Sequence, residues 1–173
     1  MNATIRKIQS QDNPHIAALI RQVLIEHNAP KVGTAYADTS LDTLSDVYDS
    51  DKSIYYVVVL TPNPSPKARG EEVEGKVIGG CGIAPLENGD ATTCELQKMY
   101  FAPEARGTGL ASQLLQKCLD AAKDFGYSQC YLETLPNMEA AQKLYAKFGF
   151  TYLDAPLGNT GHNSCPVWMI KQL

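Results

Sequence analysis

Residues 95–113 read Glu95-Leu96-Gln97-Lys98-Met99-Tyr100-Phe101, then Ala102-Pro103-Glu104-Ala105, then Arg106-Gly107-Thr108-Gly109-Leu110-Ala111-Ser112-Gln113. The first part has the composition of a strand. The glycines at 107 and 109 break it into a turn. From Leu110 onward Leu114, Leu115, Cys118, Leu119, Ala122 and Phe125 recur at helical spacing, and Gly126 supplies the C-terminal stop. A strand therefore feeds a glycine-rich turn that opens a helix. The first amides of a helix have no intrahelical acceptor, and the aligned peptide dipoles place about half a positive charge there. Glycines let an anion approach those amides closely, and Arg106 can add a charge-assisted contact. The segment reads as a site for a phosphate or pyrophosphate.

Two familiar phosphate-binding patterns are absent. The turn lacks the G-x-G-x-x-G spacing of a dinucleotide fold and the Gly-Lys-Ser/Thr ending of a Walker loop. A general nucleotide-binding module is therefore disfavoured.

Outward from this segment the chain alternates strand and helix signals. Residues 3–8 read as a short strand. Asp12-Asn13-Pro14 reads as a helix start, a capping side chain followed by proline near the first turn, with Ile16, Leu19, Ile20, Val23 and Leu24 forming one stripe that runs to about Glu26. Residues 28–38 read as a loop and 40–49 as a second helix carrying Leu41, Leu44, Val47 and Tyr48. Ile54 to Leu60 is an unbroken β-branched and aromatic run, as in a strand buried on both faces. Residues 61–75, rich in proline, glycine and charge, read as an exposed loop within the domain. Strands are expected at 77–84, 92–101 and 128–133, and a last one around Trp168, which is expected in the core. Residues 1–173 are expected to form a single domain of mixed α/β class.

Bulk composition excludes several classes. The 173 residues carry 15 Lys and Arg against 19 Asp and Glu, a net charge of −4. There is no basic run to bind nucleic acid or an anionic membrane, and no stretch of membrane-span length. The five cysteines form no C-x-x-C pair, so no metal site is suggested. Their odd number, with no apolar signal segment, leads to an expectation of free thiols in the cytoplasm.

The stretch ELQKMYFAPEARGTGLASQLL resembles motif A of the GNAT superfamily of acetyl-CoA-dependent N-acyltransferases, with Arg106, Gly109 and Ala111 at the motif positions. LETLPNMEAAQKLYAKFGF, residues 132–150, resembles motif B. The subtype is similar to small bacterial acetyltransferases of undefined acceptor. The resemblance implies a mixed, mostly antiparallel sheet of about six or seven strands flanked by about four helices, with splayed strands opening a cleft for acetyl-CoA. It implies that Met99, Tyr100 and Phe101 run along the pantetheine arm, and that amides from Arg106 through Gly107, Thr108, Gly109 and Leu110 to Ala111 hold the pyrophosphate. One position departs from the pattern: where the family often has Asn, seven residues before its helix Tyr, this chain has Met138, and Asn137 stands one earlier.

By the same resemblance Tyr145 falls where the family places a general acid. A phenol, pKa about 10, keeps its proton at neutral pH and can hand it to a departing thiolate of pKa about 8.5. From spacing alone, Met138, Ala141, Leu144, Tyr145 and Phe148 are equally the buried face of a helix. Glu95 stands on the strand that passes the thioester and is the candidate base. An amine of pKa about 10.4 is only about 0.04% neutral at pH 7, so its proton must be removed. Water as the proton carrier and a structural glutamate remain alternatives. A backbone N–H near Met99 would stabilise the oxyanion, a donor type typically worth about 3–4 kcal/mol. Tyr36 and Asp38, together with His162 in the late glycine-rich loop, are expected to flank a small-molecule or peptide amine. Cys165 as a covalent nucleophile is set aside in favour of direct transfer. A homodimer is compatible with the resemblance. A non-catalytic acyl-CoA sensor on the same fold is the alternative function.

Overall fold

The computed structural model describes residues 2–61 and 75–173. The loop expected over 61–75 falls largely outside the described residues. Its first residue, Thr61, is still part of a strand.

Seven strands form one sheet among these residues: β1 (Asn2–Lys7), β2 (Ile54–Thr61), β3 (Lys76–Pro85), β4 (Thr93–Phe101), β5 (Gln129–Thr134), β6 (Thr151–Tyr152) and β7 (Val167–Gln172). Their order is β1-β2-β3-β4-β5-β7-β6. Every pairing is antiparallel except β4 with β5. The helices are α1 (Asn13–Glu26), α2 (Leu44–Val47), α3 (Leu110–Asp124) and α4 (Glu139–Lys147). This is the mostly antiparallel α/β sheet with four helices that the resemblance implies. No described helix is long and apolar enough to cross a membrane.

The core lies on both sheet faces. Gly80 of β3 lies against Tyr55 and the α1 residue Ile16, so closely that a Cβ at Gly80 would come within 2.6 Å of the Tyr55 ring. The neighbouring Cys81 faces α3, where Cys118 donates its thiol to the Cys81 carbonyl at 3.7 Å. Ile16, Ile20, Leu24, Leu114 and Leu115 are buried, the stripes that the helical spacing anticipates, and Ile78 of β3 is buried with them.

Three local expectations need correction. The second helix is not continuous: Thr39–Thr43 is a 3-10 turn and only Leu44–Val47 is α-helical. The Ser45 amide, which a continuous helix would bond to Leu41, donates instead to Asn13 Oδ1 at 2.9 Å, and Ser40, Asp42 and Thr43 are weak helix formers. Leu41, Leu44 and Tyr48 are nevertheless buried, whereas Val47 is exposed. Asp12 does not cap α1 through its side chain. Its carboxylate instead accepts both ends of the Arg6 guanidinium, at 2.6 and 2.8 Å, and the Gln9 amide at 2.8 Å. Trp168 is half-buried, and Met169 occupies the core position beside it.

Two irregularities in β4 position everything that follows. β4 pairs with β5 only at Thr93–Gln129, Cys94–Cys130 and Glu95–Tyr131. Beyond Glu95 the strands part, although β4 runs on to Phe101 and β5 to Thr134. On its other edge, Gly80 pairs with Tyr100 and Gly82 with Gln97, so Lys98 and Met99 together oppose Cys81. This is a β-bulge, and Lys98 carries it in the left-handed region at φ 52°. A non-glycine residue there is strained. The buried Tyr55 hydroxyl donates to the Lys98 carbonyl at 2.8 Å and helps hold the bulge.

Candidate active site

The parting of β4 and β5 opens a cleft of about 730 Å³. Met99, Tyr100 and Phe101 line it from β4, and Arg106, Gly107, Gly109 and Ala111 from the turn and the head of α3. Asn137, Met138, Leu144 and Tyr145 close it from the α4 side.

The turn is shaped by its glycines. Gly107 and Gly109 have φ of 72° and 85°, a conformation that disfavours any side chain. No atom lies within 4 Å of where a Cβ at either would stand. The glycines are required by the backbone turn, and they keep its face open. The amides of Gly107, Thr108, Gly109, Leu110, Ala111 and Ser112 donate to no acceptor among the described residues. The first amide bonded back is that of Gln113, to the Gly109 carbonyl at 3.2 Å. A row of free donors at a helix head fits a pyrophosphate.

The donor row expected from Arg106 onward starts one residue later. The Arg106 amide is bonded to the Pro103 carbonyl at 3.1 Å, so it is not free. The Arg106 guanidinium pairs with the Glu26 carboxylate, at 2.8 Å through Nη2, and also donates to the Phe101 carbonyl at 3.1 and 3.2 Å. It braces the turn against α1 and the end of β4. Thr108 and Leu110 face away from the cleft: the Thr108 hydroxyl donates to the Ala105 carbonyl at 2.6 Å, and Leu110 is buried in the core. Only their amides face the turn. The Asn137 side chain donates to the His27 carbonyl at 2.6 Å.

Tyr145 is 5% exposed, and its ring sits 5.9 Å from that of Phe150. It packs in the core and also lines the cleft. Its hydroxyl makes no hydrogen bond among the described residues. No fully buried polar side-chain atom there lacks a partner, so this hydroxyl opens to the cleft. Burial pushes the phenol well above its ordinary range.

Glu95, where the strands part, is 3% exposed. Burial pushes its carboxyl up to about 6; Gln97 and His162 pull it back, and Glu133 adds to the rise. Gln97 donates to Glu95 Oε2 at 2.6 Å and accepts from the Tyr48 hydroxyl at 2.5 Å. Glu133, on β5, accepts from the hydroxyls of Tyr131 and Thr160, each at 2.7 Å.

Asp38 and His162 meet: His162 Nε2 lies 3.3 Å from Asp38 Oδ2, and the Lys98 ammonium lies 2.7 Å from the same oxygen. Burial pushes the Asp38 carboxyl up, but hydrogen bonds and charge from His162 and Lys98 outweigh it and hold it at about 2. Tyr36 does not join this group by any hydrogen bond; its ring carries the Lys31 ammonium 5.4 Å from its centre. Cys165 is pushed up to about 12, first by burial and then by Glu133, Glu95 and Asp38, the opposite of an activated nucleophile.

Sequence reasoning missed Gln97, Lys98, Tyr48 and Glu133. Each acts through a partner distant in sequence, or through the bulge. The weak available signal was the adjacent polar pair Gln97-Lys98, which interrupts the strand's alternation before the apolar run Met99-Tyr100-Phe101.

The split sheet and its free-amide helix head make a cleft suited to a ligand that carries a pyrophosphate at one end. Residues 34–150 match the Acetyltransferase (GNAT) family, and the chain belongs to that family. It is 42% identical over 170 residues to the uncharacterized N-acetyltransferase YjgM of Escherichia coli K12, covering 98% of this chain and 94% of that one. Among solved structures, an acetyltransferase of GNAT family from Staphylococcus aureus Mu50 superposes with a TM-score of 0.80 at 17% identity, covering 99% of both chains. The yncA protein of Salmonella typhimurium, solved with its cofactor acetyl-CoA, superposes at 0.71 and 18% identity, covering 100% of this chain and 95% of that one.

Proposed function

We propose that this chain moves an acetyl group from acetyl-CoA to a primary amine by direct attack. The observation that carries the reading is the parting of β4 from β5 immediately after Glu95, together with the free amides from Gly107 to Ser112 at the cleft. A pyrophosphate held at those amides leaves the cleft between the strands for the pantetheine arm, with its thioester near the bulge at Lys98 and Met99. The acetyl-CoA bound by the Salmonella protein of the same fold is consistent with this donor.

The acceptor enters from the side of Asp38, Glu95 and Glu133. These carboxylates outnumber the Lys98 ammonium, which favours a cationic amine. Glu95 takes one proton from the ammonium; at pH 7 a carboxyl titrating near 6 is mostly ionised and able to accept it. The amine nitrogen then bonds to the thioester carbonyl carbon, and a backbone N–H at the bulge stabilises the oxyanion. The carbon–sulfur bond breaks, the thiolate takes the Tyr145 proton, and the second proton of the attacking nitrogen passes back to Tyr145, leaving a neutral amide, a free thiol and one proton that Glu95 releases to solvent.

The test is calorimetric titration of acetyl-CoA into wild type and an Arg106→Glu, Gly109→Glu double variant, followed by thiol release across a panel of amines. Micromolar binding lost in the double variant, with amine-dependent thiol release by wild type, is the expected result. Binding without release from any amine would favour an acyl-CoA sensor. Folded wild type that binds no acetyl-CoA would sink both readings.

A further inference from the structure

Gln97 follows Glu95 by two positions on β4, so the two side chains share a face of the sheet. Tyr48, at the end of α2, is fully buried and reaches the same face. We infer that Tyr48 and Gln97 are positioning residues for Glu95: the Tyr48 hydroxyl fixes the Gln97 amide so that its NH₂ points at Glu95 Oε2, favouring the ionised carboxylate and leaving Oε1 for the acceptor. The inference rests on the proposed role of Glu95 as base.

The chemistry of the three groups sets the direction. A carboxylate only accepts hydrogen bonds, so the Gln97 edge that faces it must be the amide nitrogen. The Gln97 oxygen then faces Tyr48, and the phenol must donate. Burial pushes the Tyr48 phenol far above its ordinary range, so it remains a donor across the working pH. Reversing Gln97, as a protonated Glu95 would allow, would cost Tyr48 its acceptor. Glu95 Oε1 accepts no hydrogen bond among the described residues, while Oε2 is committed.

The Gln97 hydrogen bond acts against burial, which alone would hold Glu95 protonated at higher pH. The other groups that interact with this carboxyl are Lys98 on β4, Glu133, Tyr131 and Cys130 on β5, and His162 and Cys165 in the loop before β7. These act on it through space; among the described residues, Gln97 alone makes a side-chain hydrogen bond to Glu95.

The direct readout is a carbon-13 titration of side-chain carboxyls in glutamate-labelled protein, with the Glu95 signal assigned by its loss in Glu95→Gln. Wild type is expected to titrate near 6. Gln97→Ala should move Glu95 upward by about one pH unit or more, since a hydrogen bond to a charged group is lost. Tyr48→Phe keeps the ring that fills the core and should move Glu95 the same way by less. The acid limb of kcat/KM for thiol release should follow, with KM for acetyl-CoA unchanged. A Glu95 titration unmoved in both variants would overturn the inference. If Glu95→Gln instead keeps full thiol release while Gln97→Ala still moves the titration, the base role fails and the positioning contact stands.

Discussion

Lys98 Nζ lies 2.7 Å from Asp38 Oδ2, and this pair ties the strained bulge of β4 to the loop that follows α1. The Lys98 side chain is only 9% exposed. The same carboxylate oxygen meets His162, so one acid joins β4, the early loop and the late loop around the proposed acceptor entrance. An ammonium this buried needs its counter-charge, because an unpaired charge in that setting is costly.

Asp38→Asn should therefore destabilise the protein by about 2 kcal/mol near pH 7, consistent with a folded pKa near 2 against the usual 3.8. The depressed pKa means this stability is fully present above pH 3.8 and fades as pH falls through 2. Urea unfolding of wild type and variant between pH 2 and pH 6 checks it: the gap should close at the acid end. A gap independent of pH would assign the effect to something other than the carboxylate charge.

Gly109→Ala separates folding from binding. The left-handed φ of 85° costs an alanine about 1–2 kcal/mol, yet no atom stands within 4 Å of the new Cβ, so the variant should fold. The methyl group projects beside the free amides and should weaken acetyl-CoA binding by tenfold or more. Thermal unfolding reads the first effect and calorimetry the second. Unchanged affinity would show that the anion does not approach this turn.

Tyr145→Phe should lower kcat by a hundredfold or so, the usual scale for a general acid, with little change in KM for acetyl-CoA. Because the hydroxyl makes no hydrogen bond among the described residues and the ring contact with Phe150 survives, stability should change by less than about 0.5 kcal/mol. A fully active variant would leave Tyr145 as a packing residue only.

The strand, glycine turn and helix from Thr93 to Asp124 were legible because each feature is written locally: alternating apolar residues, Gly107 and Gly109, and a helical stripe from Leu110. Tyr145 and Glu95 were candidates through the family resemblance; the structure places Tyr145 on the α4 wall of the cleft and Glu95 at the last pairing of β4 with β5. What stayed hidden was long-range. Nothing near Lys98 signals a left-handed φ, since the bulge arises from how β3 and β4 align. Tyr48 meets Gln97, and Asp38 meets Lys98, only after the sheet has formed. The segment after Asp38 showed the opposite failure: Leu41, Leu44 and Tyr48 kept a helical burial pattern while the polar residues between them broke the helix itself.

Glu95→Gln should make the protein more stable while slowing it. Burial raises the folded carboxyl from the usual 4.5 to about 6. For a raised carboxyl the favourable contribution is fully present below pH 4.5 and is lost as pH rises through 6. At pH 8 the wild type holds a buried, ionised Glu95 at a cost of about 2 kcal/mol, the free-energy equivalent of a carboxyl that titrates near 6 instead of 4.5. Glutamine fills the same space without the charge. The variant should therefore be more stable than wild type by about that amount at pH 8 and equal to it near pH 4, while thiol release with an amine falls by a hundredfold or more. Chemical denaturation at both pH values, beside thiol release at pH 8, checks the pair of effects. Stability and activity lost together would mean that Glu95 serves the fold; stability gained while activity is lost is what a base held in an unfavourable, dry position requires.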